Sequence, residues 1–190
     1  MTLEYHKEFC WEDIMHHAVR LGYRSHQTST CGLHIHVNRN SLADNREEQD
    51  QIISRILYFV EHHWNELLKF SRRSEYAINR WAARYGYENY PKAIMDKAKK
   101  NCGRYVAVNL CNYHTIEFRL FRGTLKYNTL IATLEFVNRI CELAVSMTDD
   151  EIAKLSWSEF VSNITEPELI QYLKERNLYI NEKVEETEEF

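Results

Sequence analysis

Two short stretches concentrate the side chains that can do chemistry. Between Gly32 and Asn38 strict alternation sets Leu33, Ile35 and Val37 on one side of an extended chain and His34, His36 and Asn38 on the other. Between Thr115 and Arg122, Ile116, Phe118 and Leu120 alternate with Thr115, Glu117, Arg119 and Phe121. A carboxylate within reach of imidazoles can hold a divalent cation, and an arginine beside them can neutralise a carboxylate or phosphate oxygen bidentately. The same residues also suit a solvated antiparallel face on which Glu117 makes a cross-strand pair with a histidine or arginine, worth roughly 0.2–1 kcal/mol. Spacing does not separate the two readings.

Absences narrow the chemistry. The chain has no G-x-x-x-x-G-K-[ST] or G-x-G-x-x-G phosphate cradle, no H-E-x-x-H zinc helix and no G-x-S-x-G elbow. Five cysteines (Cys10, Cys31, Cys102, Cys111, Cys141) are odd in number and never paired as C-x-x-C, which indicates neither a disulfide framework nor a zinc ribbon. Cys31 reads as a structural residue at a strand entrance. His16-His17 and His62-His63 fall within helical patterns and read as partly exposed helix positions.

The elements that must hold these residues are mostly helical. Gly 5 and Pro 2 in 190 residues supply few turns, where an average protein carries roughly 12% of the two together. Trp11 to Leu21 has amphipathic spacing stopped by Gly22, and apolar positions from Ile52 to Phe70 predict one helix of more than five turns that delivers Arg72 and Arg73 at its end. Pro91 opens a helix to about Lys100. Tyr105 to Leu110 alternates as a strand, joined through Cys111 to His114 to the Thr115 strand as an antiparallel hairpin. Asn128 to Met147 is a core helix, Asp149 to Leu155 a short one, and Thr165 with Glu168 is a capping-box signature for a last helix to about Arg176. The expectation is an α+β fold in which an antiparallel sheet is covered on one face by helices: a single domain over residues 1–180, with 181–190 as an acidic tail.

Lys+Arg 24 against Asp+Glu 28 leaves −4, but the charge is unevenly spread. Lys69 to Arg104 carries ten basic residues against three acids, a local +7, while the last ten residues carry a local −4. A basic middle serves an anionic ligand or is a solvated helix face. No apolar run reaches the roughly 18 residues of a membrane span and no signal peptide opens the chain, so the reading is a cytoplasmic protein without a membrane partner. Net acidity and the lack of a known nucleic-acid motif argue against a nucleic-acid partner.

Cys31-Gly32-Leu33-His34-Ile35-His36-Val37-Asn38, together with Thr115-Ile116-Glu117-Phe118-Arg119-Leu120-Phe121-Arg122-Gly123-Thr124-Leu125, resembles the two signature blocks of the amidoligases, members of the glutamine synthetase-like carboxylate-amine ligase superfamily best known from bacteria and their phages. The resemblance runs from about Thr2 to about Met147 and rests on the pairing of the two motifs. It implies ATP-dependent joining of a small-molecule or peptide carboxylate to an amine through an acyl phosphate, on a concave sheet face holding Mg²⁺, with Mn²⁺ as a substitute. It further implies that His34 and Glu117 are ligands of that metal and that His36 contacts nucleotide phosphate. Arg119 would hold the carboxylate or the transferring phosphoryl group, and Arg122, Arg72 and Arg73 would be further phosphate contacts. Phosphoryl transfer needs charge neutralisation above all, and the +7 segment would supply an electropositive wall for a triphosphate.

Family members begin with an E-x-E strand that holds metal from the other side, and no E-x-E precedes His34 here. By that pattern the chain reads as a C-terminal piece of a longer protein or as a degenerate copy. Two other readings remain open: a metal-dependent hydrolase or phosphatase using His34, His36 and a carboxylate, and a non-catalytic or nucleic-acid-binding module using Lys69 to Arg104.

Overall fold

The computed structural model describes residues 1–25, 28, 31–101 and 103–180. The acidic tail 181–190 and Cys102 lie outside the described residues. The molecule is mixed α/β, with ten α-helices, one 3-10 turn (Arg39–Ser41) and a three-stranded antiparallel sheet among the described residues. Helices α1 (Leu3–Glu8) and α2 (Trp11–Arg20) precede strand β1 (Gly32–Asn38). Helices α3 (Arg46–His62), α4 (Trp64–Ser71), α5 (Glu75–Trp81) and α6 (Pro91–Lys100) follow, then strands β2 (Val108–Asn109) and β3 (Thr115–Arg122). Helices α7 (Tyr127–Ser146), α8 (Asp149–Lys154), α9 (Trp157–Ser162) and α10 (Pro167–Glu175) complete the chain.

Local chemistry explains most boundaries. Asn45 caps α3 by accepting from Glu48 N, Ser74 caps α5 by accepting from Ala77 N, and Pro91 stands in the first turn of α6, where its missing N–H costs nothing. Gly22, at φ 85, takes the left-handed conformation just past α2.

Several expectations are corrected. The helix expected from Ile52 to Phe70 is two helices, broken at His63, whose ψ of 32° departs from helical geometry. Apolar periodicity runs through the break because α3 and α4 feed the same core. His63 is therefore no partly exposed helix position: it is buried against Phe59 and Trp157. The capping boxes are Thr148 with Glu151 and Ser156 with Glu159, opening α8 and α9. Thr165 caps nothing, since α10 starts at Pro167 after Glu166.

The sheet order is β1-β3-β2, which places β3 in the centre. Ladder pairing in β2 is confined to Val108 and Asn109, shorter than the Tyr105–Leu110 expectation, because Val106 instead bridges Ala83 in parallel. Arg119 N still donates to Ala107 O at 2.8 Å, so the segment runs on beside β3. The β1–β3 register shifts between Leu33 and Ile35, where two residues of β1 span three of β3, a bulge opposite His34. Alternation had put Phe121 on the polar face. The bulge returns it to the apolar one, opposite Leu33, where it is buried.

The apolar sheet face, with Ile116, Phe118, Leu120 and Phe121, joins one core with α3, α4, α7 and the C-terminal helices. Phe70 of α4 stacks on Phe136 of α7 at 4.1 Å between ring centroids, and Tyr172 of α10 donates to Phe70 O at 2.8 Å. Burying each such ring contributes about 1.5–3 kcal/mol, and this packing holds the back of the sheet rigid. The opposite face carries the polar set.

Candidate functional site

Glu117 is the centre of that face. In the middle strand, its Cα lies opposite His36 on β1 and Asn109 on β2. Its Oε1 is 2.9 Å from His34 Nδ1, 2.6 Å from Arg119 Nη1 and 3.7 Å from His36 Nε2. Its Oε2 accepts from Asn109 Nδ2 at 2.7 Å. The four residues expected to act together, His34, His36, Glu117 and Arg119, are thus brought together.

Burial differs across the group. Glu117 is 5% exposed, whereas both imidazoles reach solvent. Burial works to raise the Glu117 carboxyl, but the Asn109 hydrogen bond and then the Arg119 charge, with smaller help from the two imidazoles, outweigh it and hold the group below its ordinary value. For His34, burial and then the Arg119 charge push the pKa down against the pull of Glu117, so the imidazole is favoured in its neutral form. A neutral His34 that donates Nδ1–H to Glu117 leaves a lone pair on Nε2. His36 is set by Thr115, with Nδ1 3.1 Å from Thr115 Oγ1.

The arginines divide into two groups. Arg119 belongs to the Glu117 cluster, and its guanidinium also lies 5.6 Å from the Tyr105 ring centroid. Arg72 is the left-handed cap of α4 (φ 58), and Arg73 next to it donates from Nε to Phe121 O at 3.2 Å. Arg122 Nη1 donates to Arg72 O at 3.5 Å. These three line a cavity of about 380 Å³ between α5 and the start of β1, beside the Glu117 cluster. Gly32 joins the two regions. A Cβ there would meet Arg73 Nη2 and lie 2.9 Å from His34 Nε2, so the absent side chain leaves the room that those two groups occupy.

Among the described residues no group of three or more His, Cys, Asp or Glu is arranged to hold a metal. Both Glu117 oxygens are engaged, one by Arg119 and His34 and the other by Asn109, so a cation would displace existing bonds. As arranged, His34 and Glu117 do not fit a metal already resident in the protein.

Asn109, Arg80, Trp81 and Tyr105 were not singled out from sequence. Alternation already sets Asn109 on the face opposite Val108, and pairing the two hairpin strands brings that face beside Glu117. Arg80 entered only as one of the ten cations of the +7 stretch and Trp81 carried no signal, because α5 reaches the site only through the tertiary packing. The +7 segment is partly neutralised within the molecule: Arg84 pairs with Glu61 at 2.8 Å, Lys99 with Asp50 at 2.8 Å, and Lys97 with Glu88. No described helix is long and apolar enough to cross a membrane. Compared with family models, curated proteins and solved structures, the chain matches none.

Proposed function

We propose that the chain is an ATP-dependent carboxylate-amine ligase, or a portion of one, whose small sheet corresponds to part of a glutamine synthetase-like sheet. The observation that carries the reading is Glu117 held between His34, His36 and Arg119 on the polar sheet face, with Arg73 and His34 both crowding the place a Gly32 side chain would take. In this reading a substrate carboxylate oxygen attacks the γ-phosphorus of ATP, the bond to the bridging oxygen breaks and ADP leaves. An amine then attacks the acyl carbon, the bond to phosphate breaks, inorganic phosphate leaves and the nitrogen loses a proton.

Arg119 and Arg73 face the carboxylate and the transferring phosphoryl group, whose charge they offset through paired N–H donors. His36 contacts phosphate from the β1 side. Mg²⁺ or Mn²⁺ carried by the nucleotide would supply further charge neutralisation, and His34 and Glu117 would hold it only by giving up their present bonds to each other, Arg119 and Asn109. An ATP-dependent reaction is in keeping with the cytoplasmic location expected from the sequence.

The test needs no knowledge of the amine. Hydroxylamine traps acyl phosphates as hydroxamates, so the protein is incubated with Mg-ATP, hydroxylamine and a panel of carboxylic acids, and hydroxamate and ADP are measured. Equal amounts of both are expected with the right acid, and Mg-ATP affinity is expected to fall at least about tenfold in His34→Ala and in Glu117→Gln. Unchanged nucleotide affinity in both variants overturns the site, and nucleotide binding without hydroxamate from any acid overturns the reaction.

A further inference from the structure

The cavity beside the Glu117 cluster is lined by Arg72, Arg73, Arg80 and Arg122 together with Tyr76 and Trp81, and none of its described lining residues is acidic. Among the described residues no carboxylate forms an ion pair with Arg72, Arg73 or Arg80, although other cations of the same stretch are matched to Glu61, Glu88 and Asp50. Burial and then the nearby Arg119 and Arg122 charges disfavour the charged form of Arg73, a cost that an anion entering this cavity of about 380 Å³ would offset.

The groups are also held in place. Arg73 is held by its bond to Phe121 O and Arg122 by its bond to Arg72 O. Arg80 lies over the Trp81 ring at 4.8 Å and approaches Tyr76 Oη at 3.5 Å. Side chains ordered in advance lose less freedom when a ligand binds.

Two features separate this cavity from a triphosphate position. A nucleotide arrives with its metal, which cancels much of its charge, and no described carboxylate lines this wall to share such an ion. The cavity also lies at the Gly32–Arg122 end of the β1–β3 pair, four residues of β1 from the His36–Glu117 pair, which is about 13 Å along an extended chain.

We infer that this cavity binds a second anionic group of the acid substrate, so that the substrate is a small organic polyanion rather than a monocarboxylic acid. The inference rests on the ligase reading for which end of the substrate reacts. One carboxylate stands between Arg73 and Arg119 near His34, and the remaining charge, on a carboxylate or a phosphate monoester, is taken by Arg72, Arg80 and Arg122. The assignment moves Arg72 and Arg122 from the nucleotide to the substrate.

Calorimetric titration of the full chain at low ionic strength tests this with three probes: citrate, phenyl phosphate and benzoate. Citrate or phenyl phosphate is expected to bind at least about tenfold more tightly than benzoate, and which of the two is tighter identifies the anionic group. Arg80→Gln is expected to weaken that binding about tenfold, with Arg80→Lys intermediate and Mg-ATP affinity unchanged in both. Equal affinity for all three probes, or no binding of either polyanion, overturns the inference. So does competition between Mg-ATP and the polyanion, or a parallel loss of Mg-ATP affinity in Arg80→Gln, because either would make the cavity a triphosphate wall. Polyanion binding measured in Glu117→Gln keeps the readouts apart: retained binding there supports a separate anion site even if the nucleotide reading fails.

Discussion

Asn109 Nδ2 donates to Glu117 Oε2 at 2.7 Å across the β2–β3 pair, and both residues are buried. The bond offsets part of the cost of burying a carboxylate and leaves the other oxygen for Arg119 and His34. Asn109→Leu is expected to lose about 1–3 kcal/mol of unfolding free energy in urea at neutral pH. Because Glu117 titrates below its ordinary value in the folded state, its stabilisation is present above the unfolded value and is lost as pH falls through the folded one. The difference between wild type and Asn109→Leu is therefore expected to shrink in acid. A constant difference across pH would show that the carboxylate does not depend on this bond.

Gly32 is predicted to be a site where function and stability part. An added Cβ meets the tip of Arg73 and His34 Nε2, both on side chains that can shift. The backbone there is ordinary strand, so Gly32→Ala is expected to change stability by less than about 1 kcal/mol. Affinity for citrate or phenyl phosphate is expected to drop about tenfold as Arg73 is displaced. Unaltered affinity would place the working position of Arg73 elsewhere.

His63 predicts an acid-labile joint between α3 and α4. Among the described residues its Nε2 is buried without a partner, and burial followed by the nearby His62 lowers its pKa from 6.5 to about 4. Between these values the unfolded chain takes up a proton that the folded chain excludes, so stability falls as pH drops from 6.5 towards 4. The loss is on the order of 3 kcal/mol and levels off below the folded value. His63→Phe is expected to flatten that part of the profile in urea unfolding at successive pH values; an unchanged slope would assign it to other groups.

Lys7 is expected to matter beyond its exposed position. Its Nζ lies 2.6 Å from Glu135 Oε1, and Glu135 on α7 is fully buried, so the pair fastens α1 to the core helix. Lys7→Met leaves an unpaired buried carboxylate and is expected to cost about 1–3 kcal/mol by thermal unfolding. Replacing both residues by Met is expected to recover much of that loss. A single variant with the wild-type midpoint would show that the pair contributes nothing.

Much of the architecture can be traced to local rules. Alternation places the limits of β1 at Gly32 and Asn38 and those of β3 at Thr115 and Arg122, and it sets His34, His36, Glu117 and Arg119 on polar faces, because a strand repeats every two residues whatever surrounds it. The Pro91 start of α6 and the run of α7 follow equally from short-range chemistry and apolar period. The break at His63 did not, since an apolar stripe is compatible with one helix or with two that share a core.

The tertiary structure decided what those faces do. Placing β3 between β1 and β2 gave Glu117 partners on both sides, and the bulge opposite His34 turned Phe121 inward, an effect of pairing that one strand read alone does not contain. The local +7 seen along the chain divided into cations matched within the molecule and an arginine group around one cavity, because α5 is carried there by packing rather than by sequence distance. Residue types and their periods are properties of the chain, whereas which charges meet, and which are left facing a cavity, depends on contacts between residues far apart in it.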